Sequence, residues 1–243
     1  MIGRPLSLLP CSAVLSLVIL LAGCGGGAEP GPRTQDDAPE VSEQRRTSRI
    51  ETSSEIGGLN EEKVDKTFSR ALGSLQKCLD GGAERVEFLG GSVSFFLKID
   101  SDGKVDHAHL ERSTLGDRET EKCMIGALRR LSWPKPVGGE IGLARKSFDF
   151  DPPNDVRPPT DWDPAEASKA LEKVEEEIGG CKNGVSGSFE ATAYVSTDGS
   201  VLAVSVTPPN EAGEAAVDCL VEAVRSAEFP SPGSWPAKVT FSL

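Results

Sequence analysis

His107, His109 and Glu111 are the first residues in this chain whose types and spacing could do chemistry. They alternate along one short segment, and in an extended strand such alternation puts all three side chains on one face. Imidazole nitrogens and a carboxylate together suit a divalent ion of the zinc type. The segment supplies three donors at most. The matching positions of a second, similar segment are Ala203, Ser205 and Thr207, which carry neither imidazole nor carboxylate. The expectation is therefore a solvated sheet face with no metal and no cofactor. Asp100 and Asp102 ahead of Gly103 suggest a calcium loop, but such a loop places its Gly sixth and closes with a Glu at twelve. Here the Gly falls fourth, which reads as a hairpin turn.

Catalytic sets are absent from the sequence. It holds no Gly-x-Ser-x-Gly, no phosphate-cradling loop and no His-Glu-x-x-His, and its two histidines share one strand, so no nucleophile–base pair stands out. No catalytic residue is assigned, and the chain is read as not an enzyme. With 26 Lys+Arg against 38 Asp+Glu, the formal net charge is −12, and phosphate repulsion argues against nucleic-acid binding.

The N-terminus gives an address. Arg4 precedes an apolar run from Ala13 to Leu21, too short to span a bilayer by itself, and the run ends in Leu21-Ala22-Gly23-Cys24. That pattern resembles a bacterial lipobox, which implies a signal peptide over 1–23, lipidation of Cys24 and anchorage on a membrane surface. The residue after Cys24 is Gly25 where an inner-membrane protein would carry a retention Asp, so the expected place is the periplasmic side of the envelope, at the outer membrane more than the inner. Residues 24–55 mix Gly, Pro and charge without periodicity and read as a disordered tether, with a reach of roughly 30 Å as a random coil.

Six cysteines occur. Cys11 leaves with the signal peptide and Cys24 takes the lipid. Cys78, Cys123, Cys181 and Cys219 remain, in a compartment that permits disulfides. Four cysteines allow three pairings, and an internal repeat favours Cys78 with Cys123 and Cys181 with Cys219.

That repeat supplies the elements that position everything else. Cys123 follows Asp102 by 21 positions and Cys219 follows Asp198 by 21; Pro134 and Pro230 each follow their cysteine by 11. Ahead of these, Val64, Phe68, Ala71, Leu75 and Cys78 form one helical stripe, and Ala167, Leu171, Val174, Ile178 and Cys181 repeat it in phase. Asn60 and Asp163 are placed as N-caps, with Pro164 and Glu166 completing the second start. Val93, Phe95, Leu97 and Ile99 alternate as one face of a half-buried strand, matched by Phe189, Ala191, Ala193 and Val195. Asp102-Gly103 and Asp198-Gly199 read as hairpin turns with φ > 0 positions. The return strands carry Ala108 and Leu110, and Val204 and Val206. Second helices begin near Asp117 and Asn210 and stop at Pro134 and Pro230, and last strands cover 141–150 and 237–243.

Each unit thus reads α-β-β-α-β, two helices on a three-stranded sheet, in an α+β chain. The units span 56–151 and 164–243, with the Pro-rich segment 152–163 as a stiff spacer. Both cysteines of each unit fall on core-facing stripes, so each disulfide would join helix to helix.

The first unit resembles the AgmX/PglI C-terminal domain, a branch of the TonB C-terminal-like families. The resemblance rests on Cys78 closing the first helix, Asp102-Gly103-Lys104-Val105, Ser113-Thr114-Leu115-Gly116-Asp117, Cys123 and Pro134-Lys135-Pro136. The second unit keeps the cysteines, Asp198-Gly199 and Pro230-Ser231-Pro232 but lacks Ser-Thr-Leu-Gly-Asp. The resemblance implies non-enzymatic contact with envelope protein partners, in motility or transport machinery, through the exposed edges of the sheets. A structural spacer within an envelope assembly is the alternative, and a metal-binding periplasmic protein that uses His107 and His109 is a third, weaker one. Features confined to the first unit are where specific binding is expected, namely Ser113, Thr114 and Phe96. Neither the partner's identity nor an oligomeric state follows from the sequence.

Overall fold

A computed structural model describes residues 58–152 and 156–243. The expected signal peptide, Cys24 and the tether lie outside the described residues, as does the stretch 153–155 of the spacer. All described residues belong to one compact unit.

Repeat one begins with helix α1 (Glu61–Ala83), capped by Asn60, whose side chain accepts from the Lys63 N–H. Its expected stripe is buried: Val64, Phe68, Ala71, Leu75 and Cys78. The helix runs five residues past Cys78, where the sequence reading closes it. Gly82 permits this: a Cβ there would stand 2.2 Å from Thr120 Oγ1, so its lack of a side chain lets the helix end lie against the second helix. Strands β1 (Gly91–Ile99), β2 (Val105–Ser113) and β3 (Gly142–Phe150) form a three-stranded antiparallel sheet in the order β2-β1-β3. Helix α2 (Arg118–Arg129) lies between β2 and β3 in sequence and packs on α1. Val93, Phe95, Leu97 and Ile99 are at most 1% exposed. Each such side chain contributes about 1.5–3 kcal/mol of burial.

Repeat two adds strand β4 (Thr160–Asp161), helices α3 (Pro164–Leu171) and α4 (Glu175–Lys182), strands β5 (Glu190–Val195) and β6 (Val201–Thr207), helix α5 (Val217–Ser226) and strand β7 (Ala237–Ser242). Two departures from the sequence reading stand out. First, the sheet has four strands, β4-β7-β5-β6, because Thr160 and Asp161 of the expected spacer pair in parallel with Ala237 and Lys238. Second, the two helices expected in each unit are less regular here. A 3₁₀ turn at Glu172–Val174 separates α3 from α4, and a 3₁₀ segment at Glu211–Ala216, capped by Asn210, precedes α5.

Both turns differ from a two-residue Asp-Gly hairpin. Gly103 and Gly199 sit at φ +79° and +88°, while neither Asp adopts positive φ. The N–H of Gly103 donates to the Asp100 carbonyl and that of Gly199 to the Ser196 carbonyl. Only the glycine is left-handed, as in a longer turn ending in a left-handed residue. Asp100 is consumed in this turn, accepting from the N–H groups of Asp102 and Lys104.

The two disulfides join Cys78 to Cys123 and Cys181 to Cys219, with Cα–Cα distances of 5.7 and 5.6 Å. They do link helix to helix, α1 to α2 and α4 to α5. The second cysteine of each pair is not on the core side, however: Cys123 and Cys219 are exposed, while Met124, Ala127 and Leu128, and Leu220, Val221, Ala223 and Val224, fill the cores. The bridges therefore clamp the outer rim of each helix pair.

Candidate functional site

The two repeats are packed against each other, and the residues with unusual chemistry lie along that junction. In repeat two the sheet face opposite its own helices is buried. Thr192, Tyr194, Ala203, Ser205 and Thr207 are at most 6% exposed, although the alternation predicts a half-buried strand. Repeat one covers that face, with β6 lying against β2 and α2. Tyr194 belongs to the apolar cluster of repeat one. Its hydroxyl donates to the Gly90 carbonyl at 3.0 Å and accepts from the Gly90 N–H at 3.3 Å. Phe88 lies 5.6 Å from the ring. Lys238 of β7 reaches the same carbonyl at 2.6 Å, and burial pushes its ammonium down to about 8.

The segment Ser113–Asp117, found in repeat one alone, serves this junction. Ser113 is 2% exposed, donates to the Glu121 carboxylate and accepts from the Leu115 N–H. Leu115 is fully buried. Gly116, at φ +80°, passes so close to Tyr194 that a Cβ would lie 2.8 Å from the ring. Asp117 caps α2, accepts from Thr120 and pairs with Arg85. Thr114 Oγ1 is half-buried and accepts from the Ser92 N–H. Ser113 is thus turned inward, because a hydroxyl in this position satisfies a buried carboxyl. Thr114 is tied to β1; like Thr114, Phe96 is half-buried. Arg145 lies over its ring at 4.6 Å.

Glu121 is fully buried in the junction, and burial pushes its carboxyl up to about 7. Ser113 opposes that shift, and so does Ser205 of β6, whose hydroxyl has no hydrogen-bond partner at ordinary geometry among the described residues. At the rim, Asp218 accepts from Arg118 Nε at 2.8 Å and Lys122 Nζ at 2.7 Å. Asp218 occupies in repeat two the position Lys122 holds in repeat one, at the same offset that relates Cys219 to Cys123. One equivalent position with opposite charge in the two copies makes their surfaces complementary.

The two histidines belong to the same junction. His107 Nε2 and His109 Nδ1 are 3.1 Å apart. Glu214, from the 3₁₀ segment of repeat two, brings a carboxylate oxygen to 3.7 Å from His107 Nε2, and Glu211 approaches His107 Nδ1 at 3.8 Å. The three ligand atoms from His107, His109 and Glu214 all lie within 4.8 Å of one another. Glu111, the acid expected from strand spacing, is elsewhere engaged, in an ion pair with Arg145 at 2.8 Å. His109 is buried, and burial together with His107 lowers its basicity. Burial raises the carboxyl of Glu214, with His107 acting against it. Glu214, Glu121 and Tyr194 escape sequence reasoning for one reason: each acquires its role from the other repeat, and no spacing within a repeat encodes that. The charge inversion between Lys122 and Asp218 was the available signal.

No protein-family model, curated protein or solved structure matches this chain. Among the described residues, no helix is long and apolar enough to cross a membrane.

Proposed function

We propose that this chain is a non-enzymatic envelope lipoprotein that presents two fused TonB-C-like units to protein partners, by addition of a partner strand to β3. The lipobox-like Leu21–Cys24 supports lipid anchorage, and the order α-β-β-α-β in repeat one supports kinship with the AgmX/PglI C-terminal domain. The observation that carries the binding reading is the edge of β3. Over nine residues it pairs only with β1, and its outward backbone groups have no partner among the described residues. Unpaired N–H and C=O groups are a template for another strand. A groove of about 540 Å³ runs beside it, lined by Leu59, Val64 and Asp65 and by Leu143, Arg145 and Lys146. It offers room for a partner's side chains. Arg145 and Lys146 on the strand discourage pairing with a second copy of the same edge.

The other sheet edges favour the alternative, a structural spacer. β4 is two residues long, and β2 and β6 lie against each other at the junction. The β3 edge discriminates between the two readings. Along an edge strand successive N–H groups alternate between the neighbour and the outside, so Lys146→Pro and Ser147→Pro differ in which donor they remove. A photo-cross-linker placed on β3 is expected to capture a discrete extended segment of an envelope protein. The proline that deletes an outward N–H should abolish that cross-link and leave the fold intact. Cross-linking that persists in both proline variants, or that never localises to β3, would sink strand addition.

A further inference from the structure

We propose that His107 Nε2, His109 Nδ1 and the Glu214 carboxylate form a divalent transition-metal site of the zinc type that clamps repeat two to repeat one. Three features carry it. The donor set is two imidazoles and one carboxylate, the mixture used where a zinc ion keeps its fourth position for water; magnesium and calcium would require oxygen donors instead. The spacing fits. Zn–N and Zn–O bonds of about 2.0–2.2 Å place tetrahedral ligands roughly 3.3–3.5 Å apart, and the observed separations run from 3.1 Å between the imidazoles to no more than 4.8 Å within the trio. The charge also fits. His107 turns its other ring nitrogen toward Glu211, 3.8 Å away and outside hydrogen-bond distance, so a second carboxylate stands beside the ligands to oppose a cation's charge.

The geometry has a further consequence. In the metal-free protein the 3.1 Å contact between the two rings requires one nitrogen to donate a proton to the other. A metal ion between them uses both lone pairs instead, and it draws in Glu214, which contacts neither ring at hydrogen-bond distance. Cations surround the cluster: Arg118 and Arg129 act on Glu214, and Arg145 on His109. Two of the three are already paired, Arg118 with Asp218 and Arg145 with Glu111, which leaves Glu211 and Glu214 to compensate the ion. The ligands come from β2 on one side and the segment before α5 on the other, so binding would tie the two repeats together. Stabilisation then follows from mass action on the folded state. This inference is independent of strand addition at β3, and either can fail alone.

The test is zinc titration of the chelator-treated full-length chain by calorimetry, paired with thermal unfolding and with cobalt(II) as a spectroscopic substitute. One equivalent should bind, the melting temperature should rise, and cobalt should give the absorption of a four-coordinate N/O site. Glu214→Gln and His107→Ala should each weaken binding about ten-fold or more and remove the thermal shift, whereas Glu111→Gln should do neither. His109 is buried, so His109→Ala risks misfolding. The more exposed Glu214→Gln therefore decides the matter, its fold verified by intact disulfides. Absence of zinc binding would overturn the proposal and leave a plain His–His–Glu contact. So would binding that Glu214→Gln and His107→Ala leave unchanged.

Discussion

The N–H of Trp133 donates to the carbonyl of Gly103 across 2.8 Å, and Phe229 makes the same bond to Gly199 across 3.1 Å. In each repeat the hairpin turn is thereby fastened to the helix exit, one residue before the proline. This gives the fixed spacing between Asp-Gly, Cys and Pro a physical cause: turn and exit are one joint, and an insertion between them would open it. Trp133 and Phe229 are both 5% exposed, each closing the end of its core.

Gly103→Ala and Gly199→Ala should therefore destabilise strongly. Each glycine has positive φ, and a Cβ would meet the Trp133 carbonyl oxygen at 2.4 Å or that of Phe229 at 2.0 Å. Backbone strain alone costs on the order of 1–3 kcal/mol, and a clash with backbone adds to it. Urea unfolding of the single variants checks this. Gly138→Ala is the control: it shares a positive φ of +78° but has open space around its Cβ, so it should lose less.

Within each repeat, nearly every secondary element was legible in the sequence because local periodicity and capping residues encode it. The stripe ending at Cys78, the buried face of β1, the caps at Asn60 and Asp163 and the helix start near Asp117 are read directly. The burial of Tyr194, Thr192 and Ser205 was not, because alternation records which residues face a repeat's own helices and says nothing of a second covering layer. The exposure of Cys123 and Cys219 was missed for a related reason. Cysteine counts as apolar in a helical stripe, yet here each lies at the stripe's rim, where its helix meets its partner. The candidate site suffered most: His107 and His109 were visible, but the acid beside them comes from Glu214 and not from Glu111.

Tyr194→Phe tests the junction with a minimal change. Gly90 loses a partner for its N–H, while its carbonyl keeps Lys238. A buried amide left unpaired costs about 1–3 kcal/mol. Tyr194→Ala also empties space between Phe88 and Gly116 and should cost about 3–5 kcal/mol. Followed by denaturant titration, the wild-type region should unfold in one transition, because the core of repeat one includes a residue of repeat two. Tyr194→Ala should separate it into two.

The disulfides give a prediction about covalent structure. Peptide mapping without reductant should recover Cys78 with Cys123 and Cys181 with Cys219, and no cross-repeat pair. The bridges span 45 and 38 residues, so each should contribute on the order of 3–4 kcal/mol in the chain-entropy model. Full reduction should lower the melting temperature more than any single surface substitution.

Glu121 predicts a pH dependence of definite sign. Its folded-state carboxyl titrates at about 7, against an ordinary value of 4.5. Burial is the chief cause; nearby Asp117 pushes the same way, while Ser113, Ser205 and Arg118 oppose it. Below pH 4.5 the folded and unfolded chains both hold this proton. Between 4.5 and about 7 only the folded chain does, so the stability associated with Glu121 is full on the acid side and declines as pH rises through that window. The decline amounts to roughly 3 kcal/mol at most, from about 1.4 kcal/mol for each pH unit. Glu121→Gln keeps the shape of the side chain and cannot ionise. The difference in unfolding free energy between wild type and Glu121→Gln should therefore shift with pH across this window, in favour of the variant as pH rises. Taking the difference cancels the contributions of the other titrating groups, which both proteins share. A difference that stays flat with pH would mean that the carboxyl is hydrated, and that the repeats do not seal over it.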